Sequence, residues 1–230
     1  ILGDRTRMGE LAALDEAFVR PSPTGDHLGG VARATRESML VLEAAGYDVI
    51  VVETVGVGQS EVAVAGMVDT FLLLALARAG DQLQGIKRGI LEMADVVTIN
   101  KADGDHAREA RVAARDLRQA LHLMRPDDTP QVLTCSALTG DGLDDVWEAV
   151  TSHRRDLVDA GRLDARRAQQ QREWMWSMVD AELRAAARTT PGVVAQRGAW
   201  EAAVASGELD ATEAAEKVLQ ALRSDWRDTP

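Results

Sequence analysis

Residues 49–60 read Val49-Ile-Val-Val-Glu-Thr-Val-Gly-Val-Gly-Gln-Ser60, an apolar run that ends in an acid, with Gly56 three residues later. A short continuous apolar run with glycine at its end is typical of a strand buried in a parallel sheet. Many NTPases hold the region around a γ-phosphate with such a strand-end acid and glycine. We therefore predict a strand over residues 48–52 and a phosphate-facing loop after it. The alternative for Glu53 is a strand-end acid that caps the next helix.

A second phrase has the same build, and it reads Val96-Val-Thr-Ile-Asn-Lys-Ala-Asp103. The carboxylate of Asp103 can accept hydrogen bonds from N1–H and the 2-amino group of guanine, whereas adenine has no donor at those places. Each hydrogen bond to a charged group contributes roughly 1.5–3 kcal/mol, and the wrong base would leave the carboxylate desolvated and unpaired. Lys101 can lie over the purine face, and Asn100 can brace the loop. Together the two phrases predict a guanine-nucleotide-binding protein.

Further candidates complete this site. Ser136, Ala137 and Leu138 follow the next predicted strand, where backbone N–H groups would meet the guanine O6; this tripeptide gains weight only from its position. Gly56 allows the backbone to approach a γ-phosphate, and Glu53 could hold a metal-bound or nucleophilic water. Asp4 is a candidate Mg²⁺ ligand. Lys87 lies in a glycine-flanked segment, 80–87, for which spacing alone favours a solvated helix start.

Apolar runs alternate with helical patterns, which predicts a mostly parallel sheet with helices on both faces, an α/β fold. We expect strands at 48–52, 70–76, 96–99 and 131–135, and helices that include 5–20 and 28–45. Ligands bind beyond the carboxyl ends of such strands, where Glu53, Asn100 and Ser136 all lie. The predicted domains are 1–160 and a helical extension, 161–230. The extension contains four tryptophans, which suit an interface with a partner and packing against the first domain equally well: Trp174, Trp176, Trp200 and Trp226.

Composition narrows the partners. The net charge of −11 argues against nucleic acid and anionic membranes as partners. No apolar run reaches the roughly 18 residues that a membrane span needs. A single cysteine, Cys135, excludes an internal disulfide framework, fits a reducing cytoplasm and is expected to be a buried structural thiol. The four histidines have no metal-ligand spacing, so zinc and haem sites are not predicted.

Several stretches together resemble the MeaB/ArgK family, the GTPases that chaperone adenosylcobalamin-dependent methylmalonyl-CoA mutase and related acyl-CoA mutases. The match runs from residue 1 to about Trp176. The stretches that carry it are Ile1-Leu-Gly-Asp-Arg-Thr-Arg-Met8, Phe18-Val-Arg-Pro-Ser-Pro23, Leu28-Gly-Gly30, Val52-Glu-Thr-Val-Gly-Val-Gly-Gln-Ser-Glu61, Ala79-Gly-Asp-Gln-Leu-Gln-Gly-Ile-Lys87 and Asn100-Lys-Ala-Asp103.

The resemblance implies a P-loop GTPase fold that binds GTP or GDP with Mg²⁺. It places Asp4 in the first switch, Glu53 and Gly56 in the second, and Lys87 in a third that signals nucleotide state to the mutase. It also implies that Asn100, Lys101 and Asp103 bind guanine and that the C-terminal helices form a homodimer arm. Older descriptions link some relatives to a kinase or ATPase of amino-acid transport proteins, which the Asn-Lys-x-Asp motif disfavours.

One departure is large, because no Gly-x-x-x-x-Gly-Lys-Ser/Thr motif occurs in the 230 residues. Such a loop supplies most of the phosphate binding in these proteins. In the family it precedes the point where this chain starts, so we expect a truncated chain that hydrolyses GTP negligibly by itself. The alternative is a nucleotide-free module that serves only for docking and dimerisation.

Overall fold

The computed structural model of the chain describes residues 7–21, 28–54, 60–77 and 88–227. The described strands are β1 (Leu72–Leu76), β2 (Val96–Asn100) and β3 (Gln131–Thr134). The described helices are α1 (Gly9–Ala12), α2 (Leu28–Ala44), α3 (Ser60–Ala65), α4 (Arg88–Met93), α5 (Ala107–Met124), α6 (Leu143–Asp159), α7 (Leu163–Thr189), α8 (Pro191–Ser206) and α9 (Ala211–Arg227). A short 3-10 helix, Gly104–His106, precedes α5.

The three strands form one parallel sheet in the order β1-β2-β3. Alternate residues of a strand point to opposite faces of its sheet. Val97 and Ile99 of the central strand join the core that α5 covers with Ala110, Ala114, Leu117 and Leu121. Val96 and Thr98 point the other way, where α6 contacts β2 and β3. The predicted α/β fold with helices on both faces of a parallel sheet is therefore confirmed.

The predicted strand over residues 48–52 is wrong for the structure as described, which has no strand there. Val49 is 51% exposed and Val51 is 82% exposed. An apolar run becomes a strand only when its backbone groups pair with a neighbour, and the described ladder of β1 runs to β2 alone. The residue pattern is that of a buried strand, but a pattern cannot supply the pairing partner.

The predicted helix over residues 5–20 is also corrected, because α1 spans only Gly9–Ala12 and residues 13–21 are turns and irregular chain. Leu11, Leu14 and Phe18 are all about half exposed or more. Short helices in water depend on packing an apolar face. Without such packing, this segment keeps a single helical turn.

The chain divides into two compact units, residues 1–171 and 172–230, and the division falls within α7. The domain boundary at 160/161 remains a prediction. In the second unit α8 and α9 pack together, with Val193 and Leu222 buried. The Gly192 N–H donates to the Asp225 carboxylate at 2.8 Å. None of the described helices combines the length and the apolar character needed to cross a membrane.

Candidate functional site

The end of β2 and the loop between β3 and α6 meet at the carboxyl edge of the sheet, and Asn100 joins them. Its side-chain oxygen accepts the N–H of Lys101 at 2.7 Å and the N–H of Ala137 at 3.2 Å. The Ala102 N–H donates to the Cys135 carbonyl at 2.9 Å, which adds a backbone link. Asn100 therefore braces the loop, as its position in the motif predicts.

Ser136 ties the second loop to Asp103. Its hydroxyl donates to the Asp103 carboxylate at 2.7 Å and accepts the N–H groups of Leu138 and Thr139 at 3.2 Å each. Ser136 is completely buried. The other carboxylate oxygen of Asp103 has no hydrogen-bond partner among the residues that the structure describes. The serine thus fixes the orientation of Asp103 and leaves that oxygen available as an acceptor.

The loop after Ser136 is shaped by residues that lie outside the predicted motifs. The Ser136 N–H donates to the Asp141 carbonyl, and the Gly140 N–H donates back to the Ser136 carbonyl, both at 2.9 Å. Gly142 has φ +73°, and a Cβ there would lie 2.4 Å from the Thr134 carbonyl oxygen. Only glycine fits this position. The turn-forming sequence Thr139-Gly-Asp-Gly142 is the signal that could have identified the loop.

Three side chains around these loops differ in exposure. Lys101 is exposed and adopts φ +59°, a left-handed backbone that costs a residue with a Cβ roughly 1–2 kcal/mol. Leu138 is 85% exposed. Cys135 is buried, which raises the pKa of its thiol and fits the predicted structural role. The backbone of the loops is therefore fixed, while Lys101 and Leu138 project from them.

The predicted phosphate side of the site is described only in part. Glu53 is exposed and makes no hydrogen bond or ion pair with any described residue. A free carboxylate is a ligand of the kind that Mg²⁺ prefers, but one carboxylate does not define a metal site. Asp4, Gly56 and Lys87 lie outside the described residues. The structure thus brings together the six residues predicted to bind the base and does not join Glu53 to them.

The chemistry of the base loops fits a guanine. Asp103 offers an oriented carboxylate acceptor, and the N–H groups of Ala137 and Leu138 in the exposed loop donate to Asn100 and Ser136. Guanine carries two donors, N1–H and the 2-amino group, next to each other on the edge that also bears O6, and adenine lacks this pair of donors. Asp103 therefore offers an acceptor of the kind that guanine needs, and the role of these residues in binding the base stays a prediction.

Comparisons with known proteins agree with this chemistry. The model of the family described as methylmalonyl Co-A mutase-associated GTPase MeaB matches residues 1–192. A protein named probable GTPase from Mycobacterium tuberculosis is 54% identical over 223 residues, covering 96% of this chain and 66% of the relative. GTPase ArgK of Escherichia coli is 49% identical over 186 residues, covering 80% of this chain and 56% of the relative.

Two further similarities extend the comparison. A mouse protein named methylmalonic aciduria type A homolog, mitochondrial, is 43% identical over 227 residues, which cover 97% of this chain and 55% of that protein. A crystal structure of a protein named LAO/AO transport system kinase superposes with a TM-score of 0.75 at 37% identity, covering 94% of this chain and 68% of that one. The chain spans about two thirds of the length of the mycobacterial relative and little more than half of the other two. It belongs to the MeaB family of methylmalonyl-CoA mutase-associated GTPases.

Proposed function

We propose that the whole protein is a cytoplasmic, Mg²⁺-dependent GTPase that assists an adenosylcobalamin-dependent acyl-CoA mutase of the methylmalonyl-CoA type. Its task would be to help load and protect the cofactor of that mutase. The family description, which names the mutase, and the name of the mouse relative support this partner. A homodimer through the C-terminal helices is part of the proposal. The exposure of Trp176 and Trp226, 62% and 51%, supports it.

The hydrogen bond between Ser136 and Asp103 is the observation that carries the proposal. It holds the carboxylate that would accept N1–H and the 2-amino group of guanine. Asn100 holds the two loops in register, and Lys101 would cover the face of the base. Ala137 and Leu138 would lie beside O6, and their N–H groups, which donate to Asn100 and Ser136 at 3.2 Å each, would exchange those acceptors for O6. Guanine selectivity then follows from an acceptor that adenine cannot satisfy.

On the phosphate side, Glu53 would orient a water and Gly56 would donate its N–H to the γ-phosphate. Asp4 and Glu53 would hold Mg²⁺, directly or through water, and Lys87 would meet phosphate charge or the mutase. Phosphoryl transfer needs positioning and charge stabilisation rather than covalent catalysis, and Mg²⁺ supplies part of that charge when bound. These roles rest on the family resemblance, with the exposed carboxylate of Glu53 as support.

The base site can be tested with the substitution Asp103→Asn. An amide donor in place of one acceptor should disfavour guanine and favour xanthine, whose C2 carries an oxygen. We expect GDP affinity to fall roughly 100-fold, the loss of one or two hydrogen bonds to a charged group, and xanthosine diphosphate to bind better than GDP. Equilibrium dialysis of residues 1–230 with GDP, xanthosine diphosphate and ADP measures this.

Asp105→Asn is the matched control, because Asp105 is exposed two residues away and should leave GDP affinity unchanged. Equal affinity of the unsubstituted chain for ADP and GDP would refute the base site. Equal effects of the two substitutions would refute the role of Asp103.

A second candidate function is a nucleotide-free module that docks on the mutase and dimerises. The exposure of Trp176 and Trp226, 62% and 51%, supports the dimer surface that this module needs. A pull-down of the mutase that is indifferent to GDP and GTP would support this module, and nucleotide dependence would count against it.

A third candidate is the ATPase or kinase activity on amino-acid transport proteins, suggested by the name of the superposed transport system kinase. It requires ATP in the site. Selectivity of the chain for GDP over ADP in the same dialysis would therefore disfavour it.

A further inference from the structure

The segment that connects α3 to β1, residues 66–71, is held by side chains of other helices. The contacts are the following: Arg36 donates to the Gly66 carbonyl, Gln170 Nε2 donates to the Val68 carbonyl at 2.9 Å, and Arg167 donates to the Asp69 carboxylate at 2.6 and 2.8 Å. Arg36 also donates to the Gln170 carbonyl at 3.2 Å, which closes the group on α7. We call this segment the α3–β1 connector.

The neighbouring arginine of α7, Arg166, makes a similar contact with the residue that precedes β2. Arg166 donates to the Asp95 carboxylate at 2.8 and 3.4 Å, and Asp95 also accepts the Phe71 N–H at 2.8 Å. His153 lies 3.4 Å from the same carboxylate. Asp95 immediately precedes β2, so this pair fastens α7 to the amino edge of the sheet, opposite the base loops.

The two pairs lead to different places. Successive residues of a helix diverge by about 100°, so Arg166 and Arg167 leave α7 in different directions. Arg166 ends on Asp95, which touches the connector only at its last residue, Phe71, whereas Arg167 ends on Asp69 within the connector and also on Glu43 of α2. Burial alone would raise the pKa of Asp69, but the hydrogen bonds and charge of Arg167 outweigh it and hold the pKa below its usual range. The Asp69–Arg167 pair therefore stays ionised at neutral pH.

The connector is short and is anchored near both ends. It has six residues, and the side chains of Met67, its second residue, and Phe71, its last, are buried. The Met67 N–H still donates to the Val64 carbonyl within α3, at 2.9 Å. A displacement of the end of α3 must therefore move Val68 and Asp69 or break their contacts with α7.

We propose that Arg167 and Gln170 couple α3 to α7, so that displacement of α3 is transmitted to the helix that continues into residues 172–189. The physiological input rests on the proposed function, because α3 directly follows the loop assigned to the γ-phosphate. The coupling itself concerns contacts on residues 60–71 and 163–171 and needs no nucleotide.

The test compares Arg167→Ala with Arg166→Ala in residues 1–230 without nucleotide. Both variants remove a two-bond arginine–carboxylate contact from the same turn of α7, and Arg167→Ala also removes the exposed 3.1 Å contact with Glu43 of α2. Amide hydrogen exchange is followed by NMR at Val64–Met67, relative to Val97 and Ile99, whose exchange reports global opening. Arg167→Ala should speed exchange at Val64–Met67 roughly tenfold over that reference, and Arg166→Ala should not. Equal effects of the two variants would overturn the coupling and leave only a fastening of α7.

The coupling must also act in reverse, since coupling free energies are reciprocal. Val64→Ala removes a buried contact of α3 and, as the only substitution, should speed amide exchange at residues 166–170. Added to the Arg167→Ala, Gln170→Ala double variant, it should not change that exchange. No change at 166–170 in the first case would overturn the proposal. When GDP is added, a change at 166–170 that Arg167→Ala abolishes extends the coupling to the nucleotide. Failure of residues 1–230 to bind GDP would count against the base site in this chain and not against the coupling, because the nucleotide-free measurements decide the coupling.

Discussion

The two nucleotide motifs lie in regions of different order. The first occupies the loops at residues 100–103 and 135–142, which are joined by hydrogen bonds, and the second occupies the exposed segment 49–54. Hydrogen bonds cross between the two loops, from Ser136 to Asp103 and from Ala137 to Asn100. Val49 and Val51 are exposed, and Glu53 makes no hydrogen bond or ion pair with a described residue. The first motif sits at the ends of two paired strands, and the second follows a run that has no ladder. A motif thus becomes a site only where strand pairing fixes the backbone around it.

The largest expected effect compares the paired strand β2 with the unpaired segment 49–54. Ile99→Ala in β2 should lower the free energy of unfolding by about 3 kcal/mol, because Ile99 is completely buried between neighbouring strands and α5. Val51→Ala should change it by less than about 0.5 kcal/mol, since that side chain is 82% exposed. Urea denaturation followed by circular dichroism measures both. Similar losses in the two variants would show that residues 49–52 pack as a strand after all.

The next effect concerns the rigidity of the base loops. Gly142→Ala should cost about 3 kcal/mol, because the added Cβ meets the Thr134 carbonyl in addition to the unfavourable φ. Gly140→Ala is the control: its φ is also positive but no atom lies within 4 Å, so the cost should be about 1–2 kcal/mol. The same denaturation experiment compares them. Equal costs would mean that the loop yields at Gly142 and is less rigid than the paired strands suggest.

A smaller effect separates the hydrogen-bond network from the packing beneath it. Ser136→Ala should lower the free energy of unfolding by about 2 kcal/mol, because one buried hydroxyl serves Asp103 and two N–H groups. Ser177→Ala removes an exposed hydroxyl that bonds only the carbonyl of its own helix, and should cost no more than about 0.5 kcal/mol. If Ser136→Ala lowers the free energy of unfolding no more than this control, the loops do not need the hydrogen bonds of Ser136 for their stability.

The smallest expected effect concerns Asp69, which follows the exposed motif in the chain, and it changes the free energy of unfolding only at acidic pH. The pKa of Asp69 is lowered in the folded protein, so the stability from its pair with Arg167 is complete above an unfolded pKa of about 3.9. That stability is lost as the pH falls through the lower folded pKa. Asp69→Asn should therefore flatten the loss of stability below about pH 4. Urea midpoints between pH 5 and 3 measure this, and Asp127→Asn, at an exposed site, should keep the original slope.

The strands that carry Asn100 and Ser136 were predictable because their apolar runs end at polar motifs and alternate with long helices. Helices 28–44, 107–124 and 143–159 agree with the predicted ones to within two residues at each end. The base-site residues followed from the same strand ends. Sequence could not reveal whether Val49–Val52 would find a pairing partner, because pairing is a property of the neighbouring strand.

The contacts of Asp69 and Asp95 with α7 were equally hidden from sequence. Asp69 and Arg167 are 98 residues apart, and Asp95 and Arg166 are 71 apart. Single charges on helices are normally solvated, so no local pattern marks these four residues as paired. The Thr139-Gly-Asp-Gly142 turn, by contrast, is visible in the sequence, because its two glycines and its aspartate are turn-forming residues.

The backbone of Lys101 has a consequence for how this motif should be weighed. Among the described residues, it is the one side-chain-bearing position with a positive φ. Folding alone would select glycine there, since glycine adopts this conformation without steric cost. Lysine at this position therefore lowers the stability of the fold relative to glycine, and the residue is exposed to solvent. The unfavourable backbone of Lys101 therefore supports the proposal that its side chain binds a ligand, independently of the match to any motif.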